Sequence, residues 1–213
     1  MRKNVFLLFC LSCLSFTSAS AAGKKDIAAP LGLQWGMTKD DIYKITGNLT
    51  EAESKNNVDY YSVKNSDESI DGLERYSIGI DRRYGLSSVD FIFYIEDYKT
   101  GRKSIDKYNV LKKELVSKYG EQFASEYLWR NRNKNSISFY DCIKNDRCGN
   151  FVSVFEDDKG GKAMLMLVAT DSDRKVHPFL LYKSPVIRKL KNSANNRQAD
   201  AIQKEAESVA DSL

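Results

Sequence analysis

Histidine is almost missing from this chain, because His177 is the single histidine among 213 residues. A zinc site takes about four nitrogen, sulfur or carboxylate ligands, and the chain offers too few convincing ones. The sequence also lacks a Gly-x-Ser-x-Gly elbow and a glycine-rich phosphate loop. We therefore predict no metal, no cofactor and no enzymatic activity.

Long apolar runs are also lacking, since no stretch reaches the roughly 20 apolar residues of a membrane-spanning helix. The longest run, Val5–Phe16, follows a basic start and precedes small residues that end at Ala22. This order is typical of a secretory signal peptide, which we assign to residues 1–21, with cleavage after Ala22 as a close alternative. Lipidation of Cys13 needs small residues just before it, and Cys10-Leu11-Ser12 fits this requirement poorly. The mature chain is thus expected in the periplasm or outside the cell, without a membrane span.

An excess of one charge sign is absent as well. The chain carries 33 Lys and Arg against 29 Asp and Glu, and the signal peptide contains two of the basic residues and none of the acids. The remaining charges are interleaved, whereas a nucleic-acid surface needs a clustered basic face. We predict no nucleic-acid binding.

Two cysteines, Cys142 and Cys148, remain after the signal peptide. In an oxidising compartment a pair this close is expected to form one disulfide. Closing so short a loop contributes about 2.4 kcal/mol in the chain-entropy model. The competing interpretation, a zinc site, lacks further ligands.

Two amphipathic helices are indicated. Thr38 can cap the first, with Asp41 three residues on as in a capping box, and Gly47 as its stop. Ile42 and Ile45 would form its inward face. Apolar residues at three- and four-residue steps predict the second helix: Ile105, Tyr108, Leu111, Leu115 and Tyr119, followed by Gly120.

Short β-rich or alternating segments predict three strands after the first helix and four after the second. They span residues 59–64, 75–81, 88–96, 126–130, 136–142, 150–156 and 162–170. Helices that precede runs of strands favour an antiparallel sheet with the helices on one face. We predict an α+β fold of six to seven strands, with the element order suggesting a tandem helix-plus-meander repeat over residues 22–100 and 101–177. Residues 178–213 form a predicted tail, basic and then acidic, that ends in a helix.

Two predicted strands are apolar on both faces. Ile92 and Tyr94 lie opposite the Phe pair of residues 88–96, and Met164 and Met166 alternate with leucines in residues 162–170. A sheet that is wet on one side should alternate more cleanly, so we expect the C-terminal segment or a partner to cover the second face. Aromatic side chains supply much of the energy at interfaces. The candidate binding residues are Tyr94, Trp129, Tyr140 and Ile92.

Acidic pairs leave two other functions open. Glycoside hydrolysis needs two carboxyl groups facing across a cleft, and Asp171 and Asp173 lie near His177 in the sequence. His177 itself is interpreted as a surface or capping residue, in a loop that follows the last strand and continues into Pro178. A periplasmic hydrolase acting on cell-wall or sugar substrates is one alternative, and a carrier of a small apolar ligand is another.

The segment Gly32–Gly47, GLQWGMTKDDIYKITG, resembles the opening of small bacterial envelope proteins. In those proteins Gly-Met-Ser/Thr is followed by three residues, an aliphatic residue, and then a glycine a few residues later. The segment is similar to ones in the β-lactamase-inhibitor-protein-like and SmpA/OmlA-like groups. The resemblance implies helices packed on an antiparallel sheet and a role in binding other proteins without chemistry. It carries over no functional residues, and the lipid-attachment site of the SmpA/OmlA group is lacking here.

These observations together predict a non-catalytic exported protein. Its expected partner is another macromolecule, in particular a protein of the envelope or of the extracellular space. The doubly apolar strands are the feature on which this prediction depends.

Overall fold

The computed structural model describes residues 25–65, 70, 72–95, 100–120, 123–128, 138–145 and 148–186. The predicted signal peptide, Trp129 and the predicted C-terminal helix lie outside these residues. Within the described ranges, three helices and eight strands follow one another. Their bounds are α1 Lys39–Thr46, β1 Thr50–Lys55, β2 Val58–Lys64, β3 Arg75–Asp81, β4 Gly85–Ile92, α2 Arg102–Tyr119, β5 Phe123–Leu128, α3 Phe139–Lys144, β6 Gly149–Glu156, β7 Lys162–Thr170 and β8 Lys175–Lys183.

The eight strands of the described chain form one antiparallel sheet in the order β1-β2-β3-β4-β8-β7-β6-β5. Each group of four is a meander, and the last strands of the two meanders, β4 and β8, pair in the centre. The α+β class and the antiparallel sheet are confirmed. The predicted count of six to seven strands is wrong, since the described residues contain eight.

The sequence does not predict β1 or β8. All six residues of β1 are exposed at the edge of the sheet, so no apolar alternation marks it. Strand β8 contains His177 and Pro178, which the sequence assigns to a loop because proline cannot donate to a strand ladder. The predicted boundary at residue 177 therefore falls inside a strand.

The strand predicted at residues 136–142 is also wrong, because the described part of this segment leads into α3. The Ser138 hydroxyl caps this helix by accepting the Asp141 N–H at 3.1 Å, a local signal for a helix start. Cys142, in α3, forms a disulfide with Cys148 just before β6, with the Cα atoms 5.1 Å apart. The predicted cysteine pairing is confirmed.

The start and stop signals of α1 act as the sequence indicates. The Thr38 hydroxyl accepts the Asp41 N–H at 3.3 Å, and Gly47 has a left-handed φ of 69°. Ile42 is fully buried, whereas Ile45 is 49% exposed. The inward face of α1 is thus narrower than the sequence predicts.

All three described helices lie against the same face of the sheet. Lys39 of α1 lies over the Tyr61 ring of β2, and the Tyr108 hydroxyl of α2 is 2.7 Å from the Ser153 hydroxyl of β6. The Phe139 ring of α3 packs against Gly101, which precedes α2 and has no room for a Cβ there. The hydrophobic core lies between these helices and the helix-covered face. We call the opposite side of the sheet the second face.

A polar network fixes α2 on the helix-covered face. The buried Tyr108 hydroxyl lies 2.8 Å from a Glu126 carboxylate oxygen and 2.7 Å from the Ser153 hydroxyl, and Lys112 binds the same carboxylate at 2.7 Å. Burial raises the pKa of Glu126, but the hydrogen bonds from Lys112, Tyr108 and Ser153 outweigh it and leave the pKa lowered. Glu126 is therefore held as a charged acceptor between helix and sheet.

The N-terminal segment is tied to the β6–β7 turn. The Ile27 N–H donates to the Asp157 carboxylate at 2.7 Å, and the Trp35 indole donates to the Ile27 carbonyl at 2.9 Å. The same carboxylate accepts the Gly161 N–H at 2.8 Å, which closes the predicted hairpin turn. The chain is thus tied into the folded domain at Ile27.

Candidate functional site: the second face of the sheet

The strand register assigns side chains to the second face. Residues directly opposite each other on neighbouring strands share a face and lie about 4.5–5.5 Å apart. One row crosses seven strands in this way: Ser62, Ser77, Asp90, Leu181, Met164, Val154 and Phe123. The row changes from polar to apolar between β4 and β8, at the centre of the sheet.

A second row continues the apolar half. Ile92 of β4 is followed across the sheet by Phe179, Met166 and Val152. We define the apolar patch as the half-buried members of the two rows: Ile92, Phe179, Leu181, Met164, Met166, Val152 and Val154. By contrast, Leu165 and Leu180 alternate with them and are buried in the core on the other side. The patch therefore lies outside the main core.

The polar half of the second face is built from small side chains. Gly79 lies opposite Tyr60 and Ser88, and a Cβ on Gly79 would be 3.1 Å from the Tyr60 ring and 2.5 Å from the Ser88 hydroxyl. The Tyr60 ring and the Val58 side chain thus cover the buried glycine, and the half-buried Ser62 and Ser77 form the neighbouring row. It has the composition expected for the wet side of an antiparallel sheet.

Asp90 marks the border between the two halves. Its Oδ1 atom is fully buried and has no hydrogen-bond partner among the described residues. Burial raises the pKa of Asp90 to about 6, although the charge of Lys183 lowers it in part. A carboxylate without a donor in such a place is unusual, because buried polar groups are almost always hydrogen-bonded.

One margin of the apolar patch is charged. Lys183 and Lys162 lie opposite each other on β8 and β7, and Lys162 forms an ion pair with Glu156 of β6 at 3.0 Å. A polar margin around an apolar centre is the usual anatomy of a protein–protein interface.

The structure brings together two of the four predicted binding residues. Ile92 belongs to the apolar patch, and Tyr94, which is 48% exposed, follows it just beyond β4. Tyr140 lies apart from them: it is buried in α3, and its hydroxyl bonds to Asp171 in the β7–β8 turn. The alternation assigned to residues 136–142 does not apply to Tyr140, because residues 139–142 belong to α3. Trp129 is outside the described residues.

His177 is a buried residue of β8, whereas the sequence suggests a surface or capping residue in a loop. It is 1% exposed, its Nδ1 accepts the Ile95 N–H at 3.1 Å, and its Nε2 lies 2.8 Å from Asp173 Oδ2. Burial raises the pKa of Asp173, but hydrogen bonds from Thr170, His177 and the Lys175 N–H lower it to about 2. With both ring nitrogens engaged, His177 has no free nitrogen to act as a general base.

The proline after His177 explains this arrangement. Pro178 has no N–H to offer β4, and the ladder between β4 and β8 ends at Ile92 and Phe179. The Phe93 N–H still donates to the Pro178 carbonyl at 3.0 Å, and two residues further on the His177 ring accepts the Ile95 N–H. The edge of the exposed Tyr94 ring then packs on the His177 ring, with 5.2 Å between the ring centres.

Sequence reasoning identified Met164 and Met166 but missed Phe179 and Leu181. The latter two alternate in a segment that Pro178 marks as a loop, so the sequence does not predict β8. A signal was present, since Val176, Leu180 and Tyr182 supply a matching apolar series on the other face of the same segment.

Other kinds of site find no support in the described ranges. No group of three or more His, Cys, Asp and Glu side chains there is placed to hold a metal ion. None of the helices in that part of the chain combines the length and the apolar character that crossing a membrane requires.

Comparison with known proteins finds no matching family model, no matching curated protein and no matching solved structure. The resemblance of the Gly32–Gly47 segment thus depends on that segment alone. The structure gives its Gly36-Met37 pair a role in the fold: the Gly36 N–H donates to the Leu86 carbonyl at 3.1 Å, and the Leu86 N–H donates to the Met37 carbonyl at 2.8 Å. Gly85 must be a glycine at this contact, because a Cβ there would lie 2.2 Å from the Gly36 carbonyl oxygen.

Proposed function

We propose that this chain is a non-catalytic exported protein that binds another protein of the envelope or the extracellular space through the apolar patch. The observation that carries the proposal is the set of half-buried apolar side chains aligned across the four neighbouring strands β4, β8, β7 and β6, outside the core. The polar half of the same face indicates that the sheet itself does not require apolar residues there.

The dimensions of the patch suit a protein partner. Strands β4 to β6 cover about 14 Å, at about 4.8 Å per strand spacing, which is slightly wider than one α-helix with its side chains. Tyr94 and Phe123, which is 72% exposed, extend the apolar surface at its ends. Large exposed apolar patches with polar margins mark interaction sites on soluble proteins.

The predicted signal peptide and the Cys142–Cys148 pair support a partner outside the cytoplasm, since disulfides persist in oxidising compartments. The repeated order of one helix leading a four-stranded meander supports the predicted tandem repeat. In such a repeat, β4 and β8 are equivalent strands, and the second face is formed jointly by both units.

The hydrolase alternative would use His177 or a pair of facing carboxylates. His177 has structural partners on both nitrogens, and Asp171 is occupied by Lys144 and Tyr140. These contacts favour binding over catalysis.

The proposal is tested by capture of partners from an envelope extract on the purified mature chain, read by mass spectrometry. Met164→Asp and Leu181→Asp place a charge in the patch, and Tyr94→Ala removes a ring at its margin. Val110→Asp is the matched control, because Val110 is 58% exposed on α2 at the other side of the molecule. Circular dichroism and thermal unfolding verify that each variant is folded.

We expect the wild-type chain and Val110→Asp to retain the same proteins, and both patch variants to lose them. Tyr94→Ala should weaken the capture. Equal capture by folded Met164→Asp and Leu181→Asp chains would reject the patch as the binding surface.

A further inference from the structure

The Asp90 carboxylate shares the centre of the second face with the apolar patch. Asp90 and Leu181 are directly opposite on β4 and β8, so their Cα atoms are about 5 Å apart. Ser77 lies on the other side of Asp90. The carboxylate therefore borders the patch at its middle and not at its solvated margin.

The free protein leaves this carboxylate incompletely bonded. Its Oδ1 atom is buried without a partner among the described residues, and the charge of Lys183 does not offset the burial. The nearby Arg75 guanidinium donates to the Ser62 hydroxyl at 3.2 Å. The fold thus keeps an acidic group in a place where its charge is poorly stabilised.

Binding of a partner at the patch destabilises the ionised form of Asp90 further. A partner that covers Leu181 also covers its cross-strand neighbour and removes the remaining solvent exposure of the half-buried Asp90 side chain. An ionised carboxylate that is dry and unpaired is strongly unfavourable. A partner that brings a donor to this position avoids this cost.

We propose that the partner presents a lysine or arginine side chain to Asp90 while apolar side chains of the same segment cover Leu181, Met164 and Val154. This inference rests on the proposed function and adds the chemistry of the partner to it. A cationic donor fits best, because charge-assisted hydrogen bonds to carboxylates are stronger than neutral ones. An acidic or purely apolar segment is rejected, since it leaves Asp90 repelled or unpaired.

The ion pair with Asp90 also fixes the position of the partner on the second face. Apolar contacts alone tolerate sliding along the rows of the patch, whereas one ion pair at the border of the polar half fixes the position of the partner. Asp90 thus acts as a specificity-determining residue, and the patch supplies contact area.

The test uses a displayed library of random 12-residue peptides, selected on the wild-type exported chain. Depletion on folded Met164→Asp removes peptides that do not need the apolar patch. The survivors are synthesised, and their Kd values are measured on wild-type, Asp90→Asn and Asp40→Asn chains. Asp40 is the charge-matched control, because it is an exposed aspartate in the first turn of α1.

We expect every tight-binding survivor to carry a lysine or arginine, and its Kd to rise at least tenfold on Asp90→Asn and less than twofold on Asp40→Asn. Replacing that lysine or arginine with glutamine should cause the same loss on the wild-type chain and no further loss on Asp90→Asn. Survivors that bind wild-type and Asp90→Asn equally would overturn the ion-pair inference and leave the patch as a binding surface. A selection in which depletion removes every binder would overturn both.

Discussion

The two halves of the second face share one backbone architecture and differ in their side chains. The half formed by β2–β4 carries Ser62, Ser77 and Asp90, whereas the half formed by β8–β6 carries Leu181, Met164 and Val154 in the continuation of the same row. Both halves are backed by the same hydrophobic core. This difference indicates that the fold does not require apolar side chains on the second face. The apolar half therefore needs a functional explanation.

The largest expected difference in the free energy of unfolding is between substitutions at two neighbouring residues of β7. Leu165 is fully buried on the helix-covered face, and Met164 is half-buried on the second face. We expect Leu165→Ala to lower the free energy of unfolding by about 3 kcal/mol because it leaves a cavity in the core, and Met164→Ala to lower it by less than about 1 kcal/mol. Urea unfolding of both variants measures this, and equal losses would mean that the patch belongs to a second core.

The next largest expected effect on the free energy of unfolding is at the border residue Asp90, where the substitution is stabilising. Its folded-state pKa, about 6, lies above the ordinary aspartate value of 3.8, so the folded chain binds more protons between these values and loses stability as the pH rises through that window. Asp90→Asn lacks this loss. We expect the variant to be more stable than wild type by about 1–3 kcal/mol at pH 7.5, with the difference disappearing at pH 4.

Urea unfolding at the two pH values measures this difference, and Asp40→Asn serves as the control for the loss of one charge. A difference that is absent at pH 7.5, or that persists unchanged at pH 4, would show that Asp90 is well solvated or well paired.

A smaller effect is expected within the polar half. Gly79→Ala introduces a methyl group against the Tyr60 ring and the Ser88 hydroxyl. The Ser88 hydroxyl can rotate away but the ring is held by the neighbouring strand, so we expect a loss of about 1 kcal/mol in the free energy of unfolding. Thermal unfolding checks this, and a neutral result would show that the polar half is loosely packed.

The smallest effect is expected at Ser62, at the far end of the polar half. Ser62→Asp should change the free energy of unfolding by less than about 0.5 kcal/mol and leave partner capture unchanged, because the residue is two strands away from the patch. Loss of capture with this variant would extend the binding surface across the whole second face.

Local signals predicted a good part of this fold. The cap of α1, the apolar stripe of α2 and the spacing of Cys142 and Cys148 each depend on residues close together in the sequence. Strand β8 could not be predicted in the same way, because it forms between β4 and β7 and tolerates Pro178 only where the ladder to β4 ends.

The sequence predicted that the second face is apolar in part, but it did not predict all the residues that form the apolar patch. Alternation in residues 162–170 indicated an apolar second face, but the identity of its neighbours depends on which strands pair in the centre. The exceptional position of Asp90 follows from its pairing with Leu181, a contact between residues 91 positions apart. No pattern within either segment reveals such a contact.

The central claim is that a separate protein covers the apolar patch, and site-specific photo-crosslinking tests it most directly. A photoreactive amino acid replaces Met164 in the exported chain, and a second chain carries it at Val110 as the control. The account predicts a covalent adduct with another protein from position 164 and none from position 110. An adduct from position 164 only to residues 187–213 of the same chain, or no adduct at all, would contradict it.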